Sequence, residues 1–164
     1  MSPTFMPEIP FLRDLTPEQH QLLAALFVPM ELPARGLIFR QGQDASFVYL
    51  LVEGGVSIRY KPYDGPKMTL TRLHPGDVFG WSSVVGNAVY AADAVATTPA
   101  RALRAQGREI RHQCIRNPTT GLQILEKLAL AVAPRWADSR KQVQRLLEQQ
   151  MLDSGTRPQA NFAA

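Results

Sequence analysis

Pro33-Ala34-Arg35-Gly36-Leu37-Ile38-Phe39-Arg40-Gln41-Gly42 places a short apolar run between turn residues, and that texture continues through the middle of this 164-residue chain. From Arg35 to about Leu103 the runs Leu37–Arg40, Phe47–Val52, Val56–Tyr60, Lys67–Arg72 and Val78–Phe79 follow one another, with weaker returns in Ala94–Ala96 and Ala100–Leu103. Gly42, Gly54-Gly55, Asp64-Gly65 and Pro75-Gly76-Asp77 separate them as turns, because these residue types accept the backbone angles of a chain reversal. Val56, Ile58 and Tyr60 alternate with Ser57 and Arg59, the period of a half-buried strand. Many short strands between frequent turns describe an antiparallel β-roll or jelly roll over about 33–104.

Helices flank it, so the fold class is mainly β with helices at both ends. Thr16-Pro17-Glu18-Gln19 is a helix start: threonine caps, proline suits the first turn, and Gln19 completes a capping box. Leu22, Leu23, Leu26 and Phe27 share one face, which predicts a helix over about 17–27, ended by Pro29 and Pro33. After Gly107 a short helix is expected over 108–115. Asn117 and Pro118 then open a long one over 118–152. Its seam, Leu122, Leu125, Ala129, Val132, Trp136, Ser139, Val143 and Leu146, steps by 3 and 4 and has coiled-coil spacing. Pro134 predicts a kink, since an interior proline costs roughly 3 kcal/mol and one ladder bond. One domain over 11–152 results, with an arm at 1–10 and a flexible polar tail at 153–164.

Composition narrows the class. With 45% apolar residues and a net charge of +4, the chain can build a core. The longest apolar run, Leu22–Val28, is seven residues, against the ~20 of a membrane span. The N-terminal residues lack a basic stretch followed by an apolar one, and Cys114 is the single cysteine, so a cytoplasmic setting with no membrane contact is expected. The sequence pI near 9.6 invites a nucleic-acid reading, but the basic residues are dispersed. Arg135, Arg140, Lys141 and Arg145, with Asp138 among them, read more simply as a solvated helix face.

The segment 33–42, together with Tyr49-Leu50-Leu51-Val52-Glu53-Gly54 and Leu73-His74-Pro75-Gly76-Asp77-Val78-Phe79-Gly80, resembles the β-roll of the cyclic nucleotide-binding domain, as in catabolite activator protein and its relatives. With the flanking helices the resemblance covers about residues 10–150. It implies a short helix inside the roll, the phosphate-binding cassette, whose backbone N–H groups face a cyclic phosphate. In the usual family pattern a Phe-Gly-Glu opens the cassette and an arginine closes it; the glutamate takes the ribose 2′-hydroxyl and the arginine the phosphate. Here Phe79-Gly80 is present, Trp81 stands at the glutamate position and Tyr90 at the arginine position, in Tyr90-Ala91-Ala92-Asp93-Ala94. Losing one charge-assisted contact costs on the order of 1.5–3 kcal/mol, and losing two moves a micromolar site towards millimolar. Ordinary cyclic AMP binding is therefore not expected.

Gly80-Trp81-Ser82-Ser83-Val84-Val85 is similar to a bacterial Gly-Trp-Ser variant of the cassette. The candidate ligand residues are thus Gly80, Trp81, Ser82, Ser83, Tyr90 and Ala91, with Ser139 or Arg140 near the base-contact position that the family places on its long helix. The resemblance also implies dimerisation through that helix, by Leu122, Leu125, Val132, Trp136, Val143 and Leu146. Each residue has a plainer reading: Trp81 and Tyr90 as core, Ser82 and Ser83 as helix caps. No Walker loop, Gly-x-Ser-x-Gly or suggestive acid pair is present, so no enzymatic activity is expected, and no cofactor beyond a possible cyclic nucleotide or other small ligand. His74 has no second histidine or paired carboxylate beside it, so no metal is expected; His112 and Cys114 face different ways on their helix. About a dozen residues follow Leu152, too few for a helix-turn-helix, so direct nucleic-acid contact is not expected and action on DNA would need a partner. Two functions remain open: a stand-alone regulatory sensor signalling through its C-terminal helix, or a ligand-free protein–protein interaction module that keeps only the fold.

Overall fold

The computed structural model describes residues 13–62, 65–85, 88–131 and 148. Helix α1 (Pro17–Ala24) leads into strands β1 (Val28–Leu32), β2 (Leu37–Phe39), β3 (Phe47–Glu53), β4 (Val56–Tyr60), β5 (Met68–Leu73) and β6 (Val78–Phe79). Helix α2 (Ser82–Val85), strands β7 (Asp93–Ala96) and β8 (Ala100–Gln106) and helix α3 (Gly107–Arg116) follow. Residues 118–131 are helical again. One sheet runs β1-β8-β3-β6 and the other β2-β7-β4-β5. Every pairing is antiparallel, the β-roll that the sequence texture specifies.

The pleat of the first sheet divides the apolar residues into two cores. Tyr49 and Leu51 of β3, Phe79 of β6 and Ala100 and Ala102 of β8 join Phe39, Tyr90, Val56 and Leu73 inside the roll. Val48 and Leu50, Val78, Leu103 and Ala105 point the other way and meet Leu23, Phe27, Val84, Ile110, Ile124 and Leu128 from the helical side. β3 is therefore a continuous apolar run, as a strand covered on both faces must be. Full burial of residues such as Leu50 and Leu51 contributes about 1.5–3 kcal/mol each.

The first helix keeps its predicted capping box, Gln19 N–H donating to Thr16 Oγ1 at 3.2 Å and Thr16 N–H to Gln19 Oε1 at 3.0 Å. It ends at Ala24, before the expected 27, because the chain turns to start β1. That strand contains Pro29, which the sequence reading took as a terminator. It lies at the sheet edge against β8, where a proline is tolerated. Leu22, placed on the buried face from sequence, is exposed. The long helix is described over 118–131 only. There Gly121, Ile124 and Leu128 face the protein, while Leu122, Leu125 and Ala129 face outward. Gln19 Nε2 donates to Thr120 Oγ1 at 3.0 Å and Lys127 Nζ to the Arg13 carbonyl, tying the N-terminal segment to this helix. The seam residues Val132, Trp136, Val143 and Leu146, the ligand candidates Ser139 and Arg140, the Pro134 kink, the arm at 1–10 and the tail at 153–164 lie outside the described residues.

Candidate functional site

The cassette begins where β6 ends. Gly80 has φ +75°, a left-handed angle that glycine accepts freely, and a Cβ there would lie 2.8 Å from the Phe47 carbonyl. The turn leads into α2, whose Ser82 and Ser83 are both buried. Ser83 Oγ donates back to the Gly80 carbonyl at 3.0 Å, so it ties the turn to the helix rather than capping free N–H groups. The Ser82 hydroxyl has no hydrogen-bond partner among the described residues. Trp81 is half-buried and packs against the helical-side core.

Tyr90 goes to the other core. Its ring stacks on Phe39 with centroids 3.7 Å apart, and its hydroxyl donates to the Phe47 carbonyl at 2.7 Å while accepting from the Phe47 N–H at 2.9 Å. Its backbone is fixed too, since Tyr90 N–H donates to the Gln43 carbonyl at 2.9 Å and accepts at its own carbonyl from Gly42 N–H at 2.8 Å. Tyr49 stacks on Phe79 with centroids 4.9 Å apart, so four aromatic rings stand together within the roll. Burial, reinforced by Tyr90, pushes the Tyr49 hydroxyl up to about 12 against the lowering influence of Arg104. Burial also raises Tyr90, against the lowering effect of its bonds to Phe47 and Ser46. Both phenols are therefore neutral donors and acceptors, and the charge an arginine would supply is not replaced at Tyr90.

The neighbouring charge is also spoken for. Asp93 is buried; its Oδ1 accepts from Gln41 N–H at 2.6 Å and its Oδ2 from Lys67 Nζ at 2.6 Å. Burial works to raise its pKa, but the Gln41 bond and the Lys67 and Arg40 charges outweigh it and hold the carboxyl below its ordinary value. Lys67, 26 residues away, neutralises it, and no local motif links the two. Arg101 lies on β8 and pairs at 3.7 Å with Glu31.

The predicted site residues thus fall into three groups. Gly80, Ser82 and Ser83 form the cassette turn and helix, with Trp81 directed to the helical core; Tyr90 is built into the roll; Ala91 is half-buried beside it. Among the described residues no group of three or more His, Cys, Asp and Glu side chains could hold a metal, and no described helix is long and apolar enough to cross a membrane. Burial raises the Cys114 thiol, whose sulfur lies 3.9 Å from the Gly121 carbonyl, away from His112 on the outer face.

Comparison with known proteins places these features in a family. The cyclic nucleotide-binding domain model matches residues 29–117. A CRP-like cAMP-activated global transcriptional regulator from Mycobacterium tuberculosis is 27% identical over 101 residues, which are 62% of this chain and 45% of that protein. The chain therefore spans less than half the length of that curated relative. A protein from Geobacter metallireducens GS-15, provisionally assigned as cyclic nucleotide-binding, superposes with TM-score 0.73 at 29% identity, over 83% of this chain and 98% of the other. Thermus thermophilus catabolite activator protein gives TM-score 0.68 at 26% identity, over 84% and 62% of the two chains.

Proposed function

This chain belongs to the cyclic nucleotide-binding domain family, and from that premise we propose that it is a regulatory module whose roll has given up ordinary cyclic AMP chemistry and which acts through its C-terminal helix. Tyr90 carries the proposal. At the position where the family pattern has the phosphate-pairing arginine, this side chain is stacked on Phe39 and hydrogen-bonded twice to Phe47, so it has neither the charge nor the freedom to meet a phosphate. Trp81, at the glutamate position, is directed into the helical core and offers no acceptor for a ribose hydroxyl.

The output surface is the outward face of the 118–131 helix. Leu122 and Leu125 are 61% and 44% exposed at coiled-coil spacing, which supports a homodimer through this helix. A regulatory rather than catalytic role, in a cytoplasmic setting, agrees with the names of the relatives, one a transcriptional regulator and one a catabolite activator protein. Direct nucleic-acid contact is compatible with this function, because the alignment covers only 45% of a relative that regulates transcription.

A second reading, a sensor for a different small ligand, is favoured by one observation: Ser82 keeps a hydroxyl without a partner among the described residues, at the start of the cassette helix. Calorimetric titration of the full chain with cyclic AMP and cyclic GMP to millimolar concentrations tests the main proposal. The expected result is no binding heat and no thermal stabilisation; micromolar binding of either overturns it. A saturable thermal shift with another ligand, abolished by Ser82→Ala, selects the sensor.

A further inference from the structure

Helix α3 buries Gly107 and Ile110 and leaves Arg108, Arg111, His112, Ile115 and Arg116 exposed. Arg108, Arg111, His112 and Ile115 are spaced by 3, 1 and 3 residues, so they share one helical face. With Glu109 they line an open concavity of about 410 Å³. Ile115 is 76% exposed, among the most exposed large apolar side chains described. None of the three arginines has a carboxylate partner within salt-bridge distance among the described residues; the ion pairs formed there are Lys67–Asp93 and Arg101–Glu31.

We infer that this face of α3 docks an acidic segment of a partner protein, one carrying an apolar side chain flanked by carboxylates. Three features select that occupant. The guanidinium groups have no carboxylate partner among the described residues, so binding forms bidentate carboxylate contacts without first breaking internal ones there. The isoleucine in their midst gives an apolar anchor that a purely electrostatic ligand does not need. Glu109, on the lining, repels a uniformly charged phosphate backbone, whereas a mixed peptide can set its apolar residue or a donor there. The face is independent of the cassette chemistry and of the helix seam, so the inference stands or falls apart from the function proposed above.

The test is fluorescence anisotropy of the full chain with a labelled glutamate-rich peptide bearing one central leucine. A matched all-glutamate peptide and a short DNA duplex serve as competitors. The leucine peptide is expected to bind and to weaken with added salt. Arg108→Glu with Arg111→Glu should weaken it at least about tenfold, the equivalent of one charge-assisted contact. The charge-conserving pair Arg108→Lys and Arg111→Lys should retain most of the affinity. Ile115→Ser should weaken the leucine peptide several-fold and leave the all-glutamate peptide unchanged. All these positions are exposed, and circular dichroism checks that the variants fold. No peptide binding, binding indifferent to the double reversal, or tighter duplex binding insensitive to Ile115→Ser would each overturn the inference, the last by making the face a nucleic-acid surface.

Discussion

At Tyr90 a phenol stands where the family pattern has a guanidinium, and its surroundings turn that exchange into a structural role. Its hydroxyl satisfies both polar groups of one backbone residue, the Phe47 N–H and carbonyl, in an interior otherwise lined by aromatic and aliphatic side chains. Tyr90→Phe keeps the stack on Phe39 but leaves those two groups unpaired. Chemical denaturation should show a loss of about 1–3 kcal/mol, with cyclic nucleotide titrations unchanged. A loss below about 0.5 kcal/mol would place the Phe47 groups in contact with water instead. Asp93 gives a second residue-level expectation, in acid. Its folded pKa is lowered, so the unfolded chain takes up its proton first as pH falls. The stabilisation is complete above the ordinary carboxylate value of about 4 and is lost as pH drops through the folded value. Asp93→Asn should flatten the acid limb of stability against pH. The Lys67 share should shrink with added salt, because that side chain is 48% exposed. Neither role was legible in the sequence. The Phe39–Tyr90 stack and the Lys67–Asp93 pair join residues brought together only by sheet closure; the sequence could show that the usual glutamate and arginine were replaced, but not what the replacements touch.

Among the elements, two glycine contacts connect the cassette to the helices. A Cβ on Gly107 would lie 2.3 Å from the Ser83 carbonyl oxygen and 2.4 Å from its carbon, so the start of α3 rests directly on the backbone of α2. A Cβ on Gly121 would lie 2.7 Å from Cys114 Cα and Cβ, so the 118–131 helix meets α3 just as closely. Backbone cannot yield as a side-chain tip can. Gly107→Ala should therefore push α2 and α3 apart and cost about 1–3 kcal/mol, the usual range for overpacking, where the same change at an exposed helix site stabilises. Denaturation midpoints of Gly107→Ala and wild type decide this, and an unchanged or raised midpoint would mean that the two helices are free to separate. Sequence signals found most of these elements. β4 and β6 were placed at their observed limits, and the other expected strands came within a few residues, because apolar runs between turn residues record both strand and boundary. β1 was missed because Pro29 reads as a breaker unless one knows the strand is at an edge. β8 was cut short because Ala102 and Ala105 are small residues buried on opposite faces of a strand, and they give little hydropathy contrast. The glycine contacts were not legible: Gly107, at the head of a helix, reads as a turn, and Gly121, inside the expected long helix, does not show what it touches.

For the whole molecule, the division of one sheet between two cores decides which surfaces are left for partners. β3, β6 and β8 supply side chains to both, so the roll and the helical layer share a wall. The 118–131 helix spends Gly121, Ile124 and Leu128 on that layer, and its remaining apolar stripe, Leu122, Leu125 and Ala129, is outward. The 3–4 spacing of the stripe was legible in the sequence, but which of two adjacent stripes packs inward was settled only by the fold. A symmetric pair would bury four leucines, each already partly covered. At about half of the 1.5–3 kcal/mol for full burial they supply roughly 3–6 kcal/mol. Association costs an estimated ~4–15 kcal/mol, so these leucines alone make a weak dimer. Dimerisation then requires the seam to continue through Val132, Trp136, Val143 and Leu146. Sedimentation of the full chain at micromolar concentration should show a dimer. Leu122→Asp with Leu125→Asp should convert it to a monomer with unchanged circular dichroism, because both side chains are exposed in the protomer. Trp136→Ala alone should weaken the dimer measurably, since the 3–4 spacing of the sequence puts it at the middle of the expected seam. A wild-type monomer would remove the helix as a self-association surface, and a dimer that survives the double aspartate variant would move the interface elsewhere on the fold.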